Sequence, residues 1–424
     1  MQKFLGKIKN SFYAGKILKI QIQFEKITDK YFVKMTSGKG YSVWSAAVFI
    51  TSFMAGMGVL ALPHALSGTE EKWEEYRVKF RYPYPAIGER AVGPWMRYIV
   101  TVSLHITLMG IGVVYILLSA QIAQSMTQSL FPLDYNYWIL IVAIILCPLS
   151  WFGRIEEFWF AAVGALTTAC LACISIFISM ILQIPSTENV QYTGASFESA
   201  SLSFGTILFA YSGVYMFPTI QNDMADKQQI NKATILSFMG ILLIYLPVVV
   251  SGYAVWGSSV PVNILLAIET GYFRSFIEAC LALHIFLAFL LAVNPVAQEI
   301  EEVFNVKPAF NYKRCLIRTS IIGIILLVAY SIPHFDKILN LIGGSTMTFL
   351  SFIFPSIFYL LLSRKHPDAS KSHISLPEKF FLGEIIITGC VGAISCTYYA
   401  IQDIIQVFIE DKNIQPIVVT NTTV

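Results

Sequence analysis

Ten long apolar runs divide the 424-residue chain into alternating membrane-like and polar segments. A transmembrane helix needs about 20 predominantly apolar residues to cross the hydrocarbon core of a bilayer. Only 13% of the residues are charged, whereas soluble domains average about 25%. We therefore predict an all-α polytopic membrane protein embedded in a lipid bilayer. The predicted spans are 43–63, 98–122, 136–152, 158–182, 203–221, 233–256, 275–297, 315–333, 338–363 and 379–405.

Two polar segments flank this transmembrane domain, which is predicted to cover residues 43–405. Residues 1–42 form a Lys-rich arm, and residues 406–424 form a C-terminal tail. The net charge of the whole chain is only +3. We therefore expect no basic surface for nucleic acid, and no nucleic-acid partner.

The distribution of Lys and Arg predicts which loops face the cytoplasm. Basic residues occur in the N-terminal arm and in loops 64–97, 153–157, 222–232, 298–314 and 364–378, whereas loops 123–135, 183–202 and 257–273 have none. This alternation places both ends of the first span in the cytoplasm, which a single crossing cannot satisfy. We interpret the conflict as a helix missing near Thr69. The alternatives are a re-entrant first span, an N-terminus outside the cytoplasm, or one loop whose charge count misleads.

Two predicted spans contain helix-breaking residues near their centres. The first span carries Gly56 and Gly58, and the fifth carries Gly213, followed by Pro218. Close helix packing is the alternative explanation for small residues at such positions. A pair of interrupted spans, each opening a set of helices, is a strong pointer to a binding site between two inverted repeats. The set that opens with span 203–221 holds five spans, whereas the set that opens with span 43–63 holds only four. The first repeat is therefore one helix short. The missing helix falls between its first two spans, where the distribution of basic residues also places it.

Four segments carry distinctive motifs. They are GMGVLALPHAL at 56–66, WEEYRVKFRYPYPAIGERAVG at 73–93, FAYSGVYMFPTIQNDM at 209–224 and GGSTMTFLSFIFPSIFYLLL at 343–362. These segments resemble the first helix, the loop after the second helix, the sixth helix and the tenth helix of the amino acid/auxin permease family. The resemblance covers roughly residues 43–405, so this region is interpreted as an amino acid transporter domain.

The resemblance implies the inverted-repeat fold of the neurotransmitter-sodium symporters, with two five-helix repeats and one further helix. It implies secondary active transport of amino acids driven by protons or sodium, with no cofactor besides the coupling ion. The family includes vesicular, lysosomal and plasma-membrane carriers. We therefore expect a plasma-membrane or a lysosomal/vacuolar location, with the N-terminus in the cytoplasm.

The chain departs from the family pattern because it has ten predicted spans instead of eleven and lacks the second helix. A non-transporting or regulatory variant, such as a splice form, is therefore the alternative function. An intramembrane enzyme is not expected, since the sequence contains no HExxH motif, no GxSxG motif and no paired mid-membrane aspartates.

The predicted substrate site follows from the zwitterionic form of an α-amino acid. Its ammonium group suits backbone carbonyls within residues 210–213, which include Gly213, with the hydroxyl of Ser212 as a further partner. Many relatives carry an acidic residue at the position of Ser212, so this chain is expected to recruit a cation there less strongly. The substrate carboxylate suits the N–H groups of a half-helix that begins at the interruption formed by Gly56, Met57 and Gly58.

Two tyrosines are candidates to cap this site. Tyr211 stands beside the second interruption, and Tyr115 lies in the predicted span 98–122. The alternative for each tyrosine is ordinary packing, with the hydroxyl bonded to backbone.

The coupling ion is predicted from hydroxyl and histidine positions. Ser52 matches a sodium-site position of the family. Sodium also needs a hydroxyl from span 275–297, but the sequence has no Ser or Thr between Phe276 and Pro295. Protons are therefore slightly favoured, with His284 as the predicted carrier because imidazole titrates near neutral pH. The alternative is a histidine whose hydrogen bonds are satisfied between helices.

Overall fold

Every regular element in the described part of the chain is helical. The computed structural model describes residues 42–44, 46–47, 83–128, 130–151, 159–183, 190–192, 194, 196–211, 213, 216–306, 310–364 and 374–413. The helices are α1 (Pro83–Ala91), α2 (Pro94–Thr127), α3 (Tyr135–Ser150), α4 (Trp159–Gln183), α5 (Phe197–Ala210), α6 (Phe217–Asp223), α7 (Ile230–Trp256), α8 (Tyr272–Val303), α9 (Tyr312–Ser331), α10 (Phe335–Ile342), α11 (Phe354–Arg364) and α12 (Leu376–Asn413). Short 3-10 turns occupy Lys227–Gln229, Gly257–Ser259 and Ile264–Ala267, and π-helical turns join α10 to α11.

Seven helices in the described ranges are long and apolar enough to cross a membrane. Two shorter apolar helices, α3 and α5, lie where spans 136–152 and 203–221 were predicted. The first predicted span, 43–63, lies outside the described residues beyond Ala47. The structure therefore supports an all-helical membrane protein, and the count of ten spans stays a prediction.

Helix α12 extends beyond the end predicted from hydropathy. It continues to Asn413, whereas the apolar run ends at residue 405. A helix that crosses a bilayer can continue beyond it into water, so hydropathy marks the membrane zone and not the helix end. Near this end Asp403 accepts a hydrogen bond from Lys337 of α10, at 2.8 Å.

Local sequence signals account for several helix ends. Pro94 occupies the first turn of α2, where its missing N–H costs nothing. A capping box formed by Ser196 and Ser199 starts α5. The side chain of Asn311 accepts a hydrogen bond from the backbone N–H of Arg314 and so caps α9. These caps satisfy backbone donors that the first turn of a helix leaves free.

Helices α2 and α8 form the centre of the molecule. More than half of the most apolar stretch of α2 is buried, compared with 22% for α7 and for α12. Helix α8 packs against both α2 and α4, α7 packs on α4, and α3 and α9 pack on the other side of α2. Helices α5, α10 and α12 form a further group that packs together. The outer helices expose large apolar side chains, including Leu182, Leu243, Leu327 and Ile394, as expected for surfaces that face lipid.

The contact between α5, the π-helical turns and α12 depends on small residues. A Cβ atom at Gly205 would lie 2.5 Å from the sulfur of Cys396 and 2.8 Å from the carbonyl oxygen of Asn340. Gly344 is in equally close contact with Cys396. Thr206 adds a hydrogen bond to the side-chain oxygen of Asn340, at 2.7 Å. Glycines therefore bring these backbones together without a hydrophobic driving force, as is usual between helices in lipid.

Candidate functional site

The fifth predicted span is interrupted, as its sequence predicts. Helix α5 ends at Ala210 and α6 begins at Phe217, with Pro218 in its first turn. Between them Gly213 is buried and has a φ of +133°, a conformation that only glycine adopts without strain. Its carbonyl accepts a hydrogen bond from the backbone N–H of Met216, at 2.9 Å. The last carbonyls of α5, which have no partner within their own helix, therefore end beside a non-helical segment.

Tyr211 packs against a third tyrosine. Its ring lies edge-on against Tyr245 of α7, with ring centroids 6.3 Å apart. Tyr115 packs against the same hydrophobic core as these two residues. Sequence reasoning missed Tyr245, although a hydroxyl-bearing ring within the apolar run 233–256 is a visible signal. Tyr211 and Tyr245 thus form an aromatic pair beside the interruption, and Tyr115 packs on the same core.

His284 is bonded to backbone. Its ring Nδ1 lies 2.8 Å from the carbonyl oxygen of Ala165 in α4. This contact between α8 and α4 fits the structural alternative for the histidine, so its role as a proton carrier stays a prediction. Five other predicted site residues lie outside the described residues: Ser52, Gly56, Met57, Gly58 and Ser212.

A widened segment connects α10 to α11. Residues Gly343–Met347 and Phe349–Ile353 are π-helical, a form that is rare and frequent at functional sites. Tyr84 donates its hydroxyl to the carbonyl oxygen of Leu350 at 2.6 Å, and Thr348 donates to Gly343 at 2.9 Å. Side-chain hydroxyls thereby satisfy carbonyls in the π-helical turns, so this departure from α-helical geometry is tolerated within the apolar zone.

A small cavity lies between the second half of the interrupted span and helices α2 and α8. Met216 and Thr219 of the interrupted span line it, together with Pro295 of α8. His105 of α2 and Glu299 of α8 also line it, and Nε2 of the histidine lies 3.2 Å from a carboxylate oxygen of Glu299. This distance makes an ion-pair contact, although the ring nitrogen is not aligned with that oxygen as in a hydrogen bond. Sequence reasoning missed this pair, because its members lie on different spans.

Asn294 presents a buried amide near the end of the apolar part of α8. Its side chain is only 4% exposed, and neither its oxygen nor its nitrogen has a hydrogen-bond partner among the residues that the structure describes. The adjacent Pro295 also deprives α8 of one backbone donor. An unpaired buried amide costs about 1–3 kcal/mol, so a functional explanation is warranted for such a residue.

An ionic cluster lies near the start of α8. Glu278 is buried and pairs with Arg274 one turn away, with 2.9 Å between nitrogen and oxygen. Ser125 at the end of α2 donates its hydroxyl to Glu278 at 2.6 Å and accepts a hydrogen bond from Arg274 at 2.8 Å. The cluster therefore joins α8 to α2 at one side of the predicted membrane.

A second ionic cluster lies near the end of α8. The carboxylate of Glu301 is 2.5 Å from Nε of Arg318 in α9, and Arg314 approaches the same oxygen at 3.5 Å. Arg318 also donates to the backbone carbonyl of Ser150 in α3. All three charged residues are at least 95% buried. This cluster joins α8 to α9 and α3 at the other side of the predicted membrane.

Comparisons with known proteins place the chain among transporters. The sequence profile of the family described as "Transmembrane amino acid transporter protein" matches residues 68–402. The chain is 22% identical over 381 residues to "Amino acid transporter AVT1D" of Arabidopsis thaliana, covering 81% of this chain and 68% of the relative. It is 25% identical over 310 residues to "Vacuolar amino acid transporter 4" of Saccharomyces cerevisiae, covering 65% of this chain and 43% of the relative. Among solved structures it is similar to a Na+-coupled sialic acid symporter in a substrate-bound outward-open state, with 12% identity, a TM-score of 0.48, and coverage of 88% of this chain and 90% of that one.

Proposed function

We propose that this chain, which belongs to the transmembrane amino acid transporter family, moves amino acids across a membrane by secondary active transport. Its family and the relatives it matches are transporters and not enzymes. The observation that carries the proposal is the interruption between α5 and α6 beside a pair of tyrosines. Non-helical backbone within the apolar zone is stable only where it is buried in protein or lines a cavity, and such segments form the binding sites of transporters.

The proposed substrate site uses both interrupted spans. The ammonium group of an amino acid binds at the end of α5, at Tyr211, Ser212 and Gly213. Its carboxylate binds at Gly56, Met57 and Gly58, and Tyr115 closes the pocket. The proposed fold is two inverted repeats that hold ten spans in place of the family's eleven.

The proposed coupling ion is the proton, and the proposed host is a vacuolar or lysosomal membrane with the N-terminus in the cytoplasm. The scarcity of hydroxyls in α8 supports the choice of proton. The name of the yeast relative, a vacuolar amino acid transporter, supports the choice of membrane. A plasma-membrane location and sodium coupling are the competing assignments.

A non-transporting or regulatory role is the second candidate function. It is favoured by the sequence between Pro63 and Met96, which is too polar to hold the expected second helix. Sequencing of full-length transcripts across the codons for Ser67 to Glu74 separates the two cases. An additional apolar segment in those transcripts identifies this chain as a shortened form of a carrier, and uptake then has to be measured on the longer form.

Uptake by proteoliposomes tests the proposed function. The purified chain is reconstituted, labelled neutral amino acids are offered, and a proton or sodium gradient is imposed. We expect accumulation that an ionophore specific for the driving ion abolishes. The control is protein-free liposomes under the same gradients. Inserted and folded protein that neither accumulates nor exchanges any amino acid would contradict the proposal and favour the regulatory role.

A further inference from the structure

We infer that His105 and Glu299 together carry the coupling proton, an assignment that rests on the proposed transport function. Both side chains are about one quarter exposed, and Nε2 of His105 is itself enclosed. They belong to α2 and α8, the two central helices. No other His–carboxylate contact within ion-pair distance occurs in the part of the chain that the structure describes.

The contact between the two residues is suited to proton exchange. Nε2 of His105 lies 3.2 Å from an oxygen of Glu299 without hydrogen-bond alignment. The cavity beside them measures about 20 Å³, and about 10–15 Å³ is enough to hold one water molecule. A water molecule there has two polar partners and forms a route by which a proton reaches or leaves the pair.

The cavity connects this pair to the interrupted span. Met216 and Thr219, which flank the start of α6, line the same cavity as His105 and Glu299. Because α6 follows the interruption at Gly213, a change in charge in this cavity acts on the second half of the interrupted span. The geometry therefore links proton binding to the element that holds the substrate.

Several charged neighbours of the pair are engaged elsewhere. Tyr84 of α1 is the other titratable side chain lining the cavity, and its hydroxyl is donated to the carbonyl of Leu350. Several titratable and charged groups on the helices packed against α2 and α8 have partners of their own. Glu89 pairs with Arg97, Tyr135 of α3 donates to the carbonyl of Leu117, Arg314 and Arg318 of α9 bind Glu301, and Lys337 of α10 binds Asp336 and Asp403. Further groups on these helices include Arg90 of α1, Cys147 of α3, Cys170 and Cys173 of α4, and Lys313 of α9.

The proton balance of the pair is simple. Loading places one proton, taken from water on one side of the membrane, on Nε2 of His105, where the carboxylate of Glu299 balances the positive charge. The loaded pair has no net charge, and it returns to one negative charge when the proton leaves to water on the opposite side. No covalent bond other than the N–H bond at Nε2 forms or breaks.

Gradient-driven uptake by variants tests the inference. His105→Gln and Glu299→Gln are reconstituted separately, and two activities are compared with those of the unmodified protein: accumulation under an imposed pH gradient, and exchange of labelled for unlabelled amino acid at equal pH. We expect both variants to lose accumulation and to retain exchange, because substrate binding persists without proton coupling. We also expect the pH dependence of exchange to flatten in Glu299→Gln.

Matched controls remove one histidine and one glutamate far from the cavity. His334→Gln and Glu269→Gln change exposed residues, and both should keep accumulation and the pH profile. Glu299→Asp keeps a carboxylate, so it should accumulate substrate with a displaced pH profile. This variant decides the question if the glutamine variants do not fold.

Four outcomes are informative. An unmodified protein that neither accumulates nor exchanges amino acids contradicts the proposed function itself. Transport by the unmodified protein together with full accumulation by His105→Gln and Glu299→Gln overturns this inference alone. A folded glutamine variant that loses exchange as well as accumulation also overturns it, since the pair would then serve substrate binding. Loss of coupling in His284→Gln, with intact coupling in His105→Gln, would return the role to His284.

Discussion

At the scale of single residues, Gly213 makes the interrupted span possible. Its φ of +133° is strained for every residue with a Cβ atom, and such strain costs about 1–3 kcal/mol. We expect Gly213→Ala to lower amino acid uptake by about tenfold or more, since about 1.4 kcal/mol corresponds to a factor of ten. Measured uptake per inserted protein tests this. Gly323→Ala is the control, because nothing lies within 4 Å of the added methyl group. Equal uptake by both variants would contradict a functional role for the interruption.

Residue-scale features differ in how well sequence predicts them. The break at Gly213 and Pro218 was predictable because glycine and proline act on the backbone where they stand. The contact between His105 and Glu299 was not predictable, because it depends on how distant helices pack. The hydrogen bond between His284 and the carbonyl of Ala165 was likewise not readable from the sequence, and the role of His284 as a proton carrier stays a prediction.

At the scale of elements, the buried cluster at Glu301 anchors the end of α8. Removing one partner of a buried ion pair leaves uncompensated charge and costs about 3–5 kcal/mol. We therefore expect Glu301→Gln to lower the free energy of unfolding by this amount, because Arg314 and Arg318 stay buried. Thermal unfolding in detergent measures the change. Glu89→Gln, which breaks the more exposed pair with Arg97, should cost less than about 1 kcal/mol. Similar losses for both variants would show that the cluster does not hold α8.

Helix positions were largely predictable at this scale, and their internal geometry was not. Apolar runs located most of the helices because crossing a bilayer requires a fixed length of apolar sequence. The π-helical turns after α10 were not predicted, since they depend on hydroxyl donors such as Tyr84 from another helix. The extension of α12 to Asn413 was also missed, because a helix end in water leaves no mark in hydropathy.

At the scale of the whole molecule, the alternation of basic loops predicts which end of α8 faces the cytoplasm. Tyr272 and Tyr312 are 99% and 76% exposed. Tyr272 lies in loop 257–273, which has no basic residue, and Tyr312 lies in loop 298–314, which has three. In sealed vesicles with the cytoplasmic face outward, we expect an impermeant maleimide to label Tyr312→Cys and not Tyr272→Cys. The seven native cysteines are free thiols, so replacing them beforehand breaks no disulfide. Detergent should expose both positions, and labelling of Tyr272→Cys alone would invert the topology.

The clusters at the two ends of α8 have a mechanical consequence. Separating desolvated ions during each cycle would be costly, so α8 stays fixed to α2 at one end and to α3 and α9 at the other. In the proposed transport cycle these helices form a stationary scaffold, and the interrupted span moves against it. His105 and Glu299 belong to the scaffold, whereas Met216 and Thr219 belong to the interrupted span. In the mechanism proposed here, the proton binds on the stationary helices, and the position of the interrupted span determines from which side of the membrane the proton is released.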